Sequence, residues 1–370
     1  MLKTLNLKTI VVKVGTKVLA GKGYTLDKSE IKNLVDQIAA LAKNNIKVIV
    51  VSSGAIGAGM GLLKLKQRPA VLSKLQACAA VGQSHLMQVY DGLFRAHGIL
   101  TAQILLTQED LNDRKRYLNA KATIQTLLEE GVVPIVNEND TISTEEIKFG
   151  DNDKLSSLVA NLISADLLVL LSNVDGLYRY GAKNLETTPI AVVDKITDEI
   201  ESLARKGTDA LGTGGMISKL QAAKVAAASG IPCIIANGRK KNILTDIVVN
   251  KKSAGTLFLP TSFKIAAKKR WLGFGAKPKG AIGVDSGAKE ALGRNKSLLA
   301  SGIWAAKGEF KKGDIISIVD IDGREFARGI ANYSFHEVIK IKGLKAAQIE
   351  GALGFKREDE VIHKDNLVIL

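Results

Sequence analysis

The chain has 370 residues, 46% of them hydrophobic and 24% charged, which is enough for a sizeable core and fits two domains better than one. That apolar fraction excludes a disordered chain. The net charge of +15 suits anionic partners: nucleic acid, a membrane surface or phosphorylated small molecules. Lysines interrupt every apolar run of the opening MLKTLNLKTIVVKVG, so no signal-peptide core is present. Runs such as LLVLL at 167–171 are far too short to span a bilayer. Cys78 and Cys233 stand in no metal or redox spacing, so two free core thiols in a reduced cytoplasm are expected. The four histidines, His85, His97, His336 and His363, form no HxxH or HExxH pattern, which argues against a zinc or Ser-His-Asp enzyme.

In chain order, TIVVKVG (9–15) reads as a buried strand ending in glycine, followed by a helix from about Asp27 with Ile31, Leu34, Val35, Ile38 and Leu41 on one face. KVIVVSSG (47–54) is a second strand, and a helical stretch covers 72–94. Strands are expected at 99–107, 132–137 and 166–173, with helices over 118–130 and 154–164 between them. After a less regular stretch come a helix at 197–206, a glycine-rich turn opening a helix from LGTGGMISK (211–219) through Ala228, and a strand over 231–238. Apolar strands separated by amphipathic helices predict a mostly parallel sheet covered on both faces. Ligands then bind beyond the carboxyl ends of the strands, where Lys13 to Thr16, Ser52 to Gly54, Asn137 to Asp140 and Ser172 to Asp175 lie.

The pattern changes near residue 263. KIAAKKRWLGFGAKPKG (264–280) is basic and aperiodic, and beyond it short strand signals include a hairpin over 314–331 with Asp322-Gly323 as its turn. The organisation expected is a first domain over 1–262, a linker over 263–277 and a small, mainly β domain over 278–370. From Thr261 to Leu370 there are 20 Lys and Arg against 13 Asp and Glu, a net of +7 and a charge density about twice that of the rest.

Three features carry chemistry. LGTGGMISK offers glycines that let backbone approach phosphate, free N–H groups at a helix start, and Lys219 as a compact charge; a flexible connection is the alternative. It is not a Walker A loop, and no G-x-G-x-x-G stands at the first strand–helix turn. Lys13 interrupts a buried strand, so it needs an ion pair or a bound anion, or it snorkels at the strand end. VSSGAIGAG (51–59) either binds a phosphate or carboxylate or packs a helix tightly on the sheet. Between them, NENDTISTEEIKFGDNDK (137–154) gathers acids and amides, which hold a metal, a cation or only each other, or give a polar grip on an acceptor. Cationic groups, backbone donors and a polar acceptor grip are what phosphoryl transfer requires.

KVG, SSGAIGAG, LNAKATIQTLL, VPIVNENDTI, GDNDKLSSLVA, VDGLY and LGTGGMISKLQAA, in this order, resemble the glutamate 5-kinase family. KRWLGFGAKPKGAIGVDSGA and KGDIISIVDIDGREFARGIANYS resemble the PUA domain appended to many of its bacterial members. The resemblance implies the amino acid kinase fold, an αβα sandwich around a mostly parallel open sheet, plus a PUA-like domain. It implies ATP, Mg²⁺ held mainly through the nucleotide phosphates, and L-glutamate as acceptor. By motif, Lys13 and Lys219 stabilise the phosphoryl group and Asp153 organises both lysines. Ser53, Asp140 and Asn152 bind glutamate. Lys13, Ser172, Asn173, Thr213, Gly214, Gly215, Met216, Ile217, Ser218 and Lys219 line the ATP site, and Gly15 and Gly54 leave room for the phosphate. No residue is assigned to a metal. The family usually has Thr-Asp where this chain has Ser172-Asn173, which removes a negative charge beside the nucleotide.

The resemblance also implies proline as feedback inhibitor, overlapping the glutamate pocket, and a homo-oligomer, a dimer or tetramer. A glutamyl-phosphate reductase is a natural partner for so labile a product. Sister kinases for acetylglutamate, aspartate, carbamate or uridylate are the nearest alternative. RNA binding by the PUA-like part is the alternative from another class. It is not favoured, since Trp271, Phe274, Trp304 and Phe310 form no RNP pattern. No membrane partner is expected.

Overall fold

The computed structural model describes residues 5–21, 24–143, 151–179, 188–206, 215–260, 272–273 and 278–370. Its contacts divide the chain into two compact units, Met1–Phe263 and Lys264–Leu370. The first runs β1 (Thr9–Val14), α1 (Thr16–Leu19), α2 (Lys28–Lys43), β2 (Lys47–Ser52), α3 (Ala55–Leu62), α4 (Leu72–Arg95), β3 (Thr101–Leu106), α5 (Gln108–Asn112), α6 (Arg114–Glu129), β4 (Val133–Glu138), α7 (Asp151–Ile163), β5 (Leu167–Ser172), β6 (Val192–Val193), α8 (Asp198–Lys206), α9 (Met216–Ala228), β7 (Cys233–Asn237), α10 (Ile243–Val248) and β8 (Thr256–Phe258).

The eight strands form one sheet in the order β3-β4-β2-β1-β5-β7-β8-β6. Every pairing is parallel except β7 with β8, so the mostly parallel sheet expected from strand–helix alternation is what forms. The short β6 and β8 at one edge were not legible in the sequence, being two and three residues long. α7 begins at Asp151, three residues before the expected start. Asn152 and Asp153 therefore belong to its first turn instead of preceding it.

Strand period sorts β1 between two cores. Ile10, Val12 and Val14 join one cluster with Ile31, Leu34 and Ile38 of α2 and Leu86, Tyr90 and Phe94 of α4. Lys13, on the opposite face, is 4% exposed and paired with Asp153 of α7. α3 and α4 pack with their backbones in contact. A Cβ on Gly82 would lie 1.8 Å from Ala55 O, and one on Gly59 1.8 Å from Cys78 O. The small residues after β2 thus serve helix–helix approach at Gly59, a reason distinct from both sequence alternatives. Cys78 and Cys233 are free and buried.

The second unit holds a five-stranded sheet, in the order β11 (Ile303–Gly308), β9 (Gly280–Val284), β12 (Ile315–Val319), β13 (Glu325–Ile330), β15 (Leu367–Ile369), and a two-stranded one of β10 (Leu298–Leu299) and β14 (Glu360–Ile362). β12 and β13 form the expected hairpin, but its turn is a five-residue loop, with Gly323 at φ +75° and Asp320 accepting from the N–H groups of Asp322 and Arg324. Asp322 and Gly323 lie within that loop, where Gly323 N–H donates to Asp320 O at 3.0 Å, so the turn falls where the dipeptide signals it. Of the four aromatics weighed for base stacking, Phe310 is buried in this unit's core and Trp304 is exposed; Trp271 and Phe274 lie outside the described residues. Among the described residues no helix is long and apolar enough to cross a membrane.

Candidate active site

Two lysines and one carboxylate meet beyond the carboxyl end of the central strand. Lys13 Nζ lies 2.6 Å from Asp153 Oδ1, and Lys219 Nζ lies 3.2 Å from Asp153 Oδ2. Ser218 Oγ donates to Asp153 Oδ2 at 2.7 Å. β1 supplies Lys13 on its α7-facing side, α7 supplies Asp153 from its first turn, and α9 supplies Ser218 and Lys219. Lys219 is 9% exposed and Asp153 fully buried. An isolated charge so placed would cost several kcal/mol, which explains why a strand lysine requires a partner here.

One carboxylate, Asp153, reaches both ammonium groups. Burial is the strongest influence on Asp153 and raises its pKa, yet Lys13, Lys219 and Ser218 together hold it below the ordinary carboxylate value. Lys13 moves the other way relative to its charged state. Burial lowers its pKa, the Asp153 charge opposes that, and Lys219 adds to the lowering. The two ammonium groups therefore sit in a nearly dry place, where their charge acts most strongly on an incoming anion.

A second group stands beside it. Asn152 Nδ2 donates to Ser53 Oγ at 3.2 Å and to Asn137 Oδ1 at 2.9 Å. Ser53 is held by its own N–H to Val14 O of β1 at 3.1 Å. Asp140 follows β4, and its charge acts on the half-buried Arg68, whose pKa burial pulls below the usual guanidinium range. Arg68 and Gln83 are site neighbours that sequence reasoning did not single out; Asn137, inside NEND, stood out only by its place at a strand end and carried no assigned role.

Gly15 caps α1 in an extended conformation, and a Cβ there would meet Leu171 O at 3.3 Å and Lys13 Nζ at 3.6 Å. Gly54 has φ +103°; its Cβ would touch only Leu19 and Leu26, so the backbone conformation is what calls for glycine. Ser172 and Asn173 lie at the end of β5, next to β1, with Ser172 buried and Asn173 exposed. Gly215 caps α9, whose first turn carries Met216, Ile217 and Ser218. Thr213 and Gly214 lie outside the described residues, as do Glu145 and Glu146. Among the described residues no three His, Cys, Asp or Glu are grouped to hold a metal ion.

A model of the amino acid kinase family matches residues 8–237, which includes all of these groups. The chain belongs to the amino acid kinase family. A PUA domain model matches residues 280–353 of this kinase. Glutamate 5-kinase of Caldanaerobacter subterraneus subsp. tengcongensis is 48% identical to it over 98% of this chain and 97% of its own length. Glutamate 5-kinase of Moorella thermoacetica is 45% identical, over 98% of this chain and 96% of its own. Carbamate kinase from Giardia lamblia bound to AMP-PNP shares the fold, with a TM-score of 0.50 and 20% identity over 69% of this amino acid kinase and 99% of that chain.

Proposed function

We infer that this amino acid kinase transfers the γ-phosphoryl group of ATP to the side-chain carboxylate of L-glutamate, giving L-glutamyl 5-phosphate in the first step of proline biosynthesis. The observation that carries this is the buried Lys13–Asp153–Lys219 cluster in a chain that aligns almost end to end with glutamate 5-kinases.

The acceptor carboxylate has a pKa of about 4.3 and is already a nucleophile at neutral pH, so no general base is required. The barrier is repulsion between two anions. Lys13 and Lys219 oppose it with fixed charge, and Asp153 holds both ammonium groups. Ser53 and Asn152 hold polar groups of glutamate, and Asp140 takes its ammonium. Residues 213–219, Ser172, Asn173 and Lys13 line the nucleotide, with Gly15 leaving the phosphate side of Lys13 open and Gly54 shaping the turn beside it. Mg²⁺, held mainly through the phosphates, supplies further charge neutralisation. This fits a donor set whose best-placed carboxylate, Asp153, is already committed to two lysines.

The catalytic domain is taken as 1–262, the linker as 263–277 and the PUA-like domain as 278–370. The enzyme is placed in the cytoplasm as a homo-oligomer, a dimer or tetramer. Proline is its feedback inhibitor at a site overlapping glutamate, and a glutamyl-phosphate reductase consumes its product.

The test is glutamate-dependent ADP release by the intact chain and by Lys219→Ala. The variant is expected to lose about 10²-fold or more in kcat, with a smaller change in glutamate KM. Loss of affinity alone would misplace the lysine. Turnover on acetylglutamate, aspartate, carbamate or uridylate without turnover on glutamate would overturn the substrate.

A further inference from the structure

We propose that Gln83, on α4, is a positioning residue for glutamate: through a relay of side-chain amides it makes the Ser53 hydroxyl a hydrogen-bond donor to the substrate. The proposal rests on Ser53 and Asn152 contacting glutamate.

The relay runs from the edge strand to the site. Gln83 Nε2 donates to Gln103 Oε1 of β3 at 3.2 Å, and Gln83 Oε1 accepts from Asn137 Nδ2 at 2.8 Å. Asn137 Oδ1 accepts from Asn152 Nδ2 at 2.9 Å, and Asn152 Nδ2 reaches Ser53 Oγ at 3.2 Å. Gln83 and Asn137 are buried, at 8% and 2% exposure.

A side-chain amide has one accepting and one donating end, and the two ends have nearly the same shape. Something must decide which way each one points. Here backbone groups do: Ser52 O, which can only accept, lies 3.4 Å from Asn152 Nδ2, and a backbone N–H sets the oxygens. The N–H of Glu138 can only donate, and it points at Asn137 Oδ1 at 2.9 Å and Asn152 Oδ1 at 3.3 Å. Both facing atoms must therefore be oxygens. The NH₂ of Asn137 is then turned to α4, where it needs an acceptor, and Gln83 Oε1 provides it. Without that acceptor a buried NH₂ is left unpaired, and the orientation of Asn137 loses one of its three hydrogen bonds.

Polarity passes onward to the substrate side. Asn152, with its oxygen on Glu138 N–H, presents its NH₂ to Ser53. Ser53 Oγ already accepts, so its own proton is free to be given away, and among the described residues no protein acceptor takes it. A donor of this kind suits a carboxylate oxygen of glutamate. With the amides reversed, Asn152 would offer oxygen, Ser53 would donate to it, and the substrate would meet a lone pair.

The experiment is steady-state kinetics with glutamate and ATP varied separately, on Gln83→Met, Gln83→Glu, Gln103→Met and Asn152→Ala. Gln83→Met keeps the shape and loses the acceptor; it is expected to raise glutamate KM about five- to tenfold with ATP KM unchanged. Gln83→Glu keeps an acceptor for Asn137, and Gln103 can turn its NH₂ to the new carboxylate, so glutamate KM is expected within about twofold of the parent. A packing role predicts the reverse order, since Met fills the site and a buried charge disturbs it. Unchanged glutamate KM in Gln83→Met, equal rises in both KM values, or Gln83→Glu worse than Gln83→Met would each overturn the relay. If Gln83→Met does not fold, Gln103→Met at its exposed position decides: glutamate KM rises about two- to threefold if the relay operates and stays fixed if it does not. Asn152→Ala separates the two levels. If it leaves glutamate KM unaltered, the substrate site itself is misread; if it raises KM while Gln83→Met does not, only the relay falls.

Discussion

Replacing Asp153 by Asn keeps the size and one accepting oxygen at the centre of the cluster and removes the negative charge that bridges two buried ammonium groups. The contacts at stake are the 2.6 Å pair with Lys13 and the 3.2 Å pair with Lys219. Removing one partner of a buried ion pair costs about 3–5 kcal/mol, and the amide oxygen retains part of that. Expressed wholly in the transition state, the loss corresponds to roughly 10²- to 10³-fold in kcat. The pH profile gives the sharper reading. Lys13 must be charged to act, and activity falls as pH rises through its folded pKa, which burial already lowers and Asp153 props up. Asp153→Asn removes the prop, so the basic limb of kcat must move to lower pH. Asp153 itself sits below the ordinary carboxylate value. It therefore stabilises the parent above that value, and this contribution is lost as pH falls through the folded pKa; the variant should lack it. Coupled-assay kinetics between neutral and alkaline pH measure the limb, and thermal melts at acid pH measure the stability. A variant with kcat within threefold of the parent and an unmoved basic limb would refute the argument.

Three further outcomes concern packing and backbone. Gly82→Ala puts a methyl 1.8 Å from Ala55 O and is expected to destabilise by about 3 kcal/mol or more, whereas Gly92→Ala on the same helix meets nothing within 4 Å and should be neutral or stabilising by up to about 1 kcal/mol; denaturant midpoints compare them. Gly54→Ala forces φ +103° on a residue with a Cβ and should cost about 1–3 kcal/mol, readable in the same way. Ser334→Ala removes the reciprocal cap in which Ser334 and Glu337 bond each other's N–H. It should lower the stability of the C-terminal unit by about 1 kcal/mol and leave glutamate-dependent turnover unchanged.

The carboxyl ends of the strands were legible because an apolar run must stop where the sheet meets solvent or ligand. Lys13, Ser53, Asn137 and Ser172 all stand at such stops. α7 was placed three residues late because its first turn, Asp151-Asn152-Asp153, is wholly polar, and periodicity reports a helix only where it has an apolar face. Gln83 gave no signal at all. It sits in a long amphipathic helix where a glutamine reads as ordinary, and its meaning depends on Asn137, which lies on another element of the sheet.

By itself the sequence determined the local matters: which runs become strands, where each ends, that a lysine buried in β1 needs a partner, and that the C-terminal part is a different, mainly β unit. Those follow from burial and period, which act between near neighbours in the chain. Only the tertiary structure decided who meets whom. The strand order puts β1 between β2 and β5, and α7 and α9 pack together on the face that Lys13 shares, which brings Asp153 and Lys219 to it. The close approach of α3 to α4 explains Gly59 and Gly82, and the N–H of Glu138 orients two side-chain amides. Each of these is a contact between residues far apart in the chain, and crossover connections and packing, not residue type, set that distance.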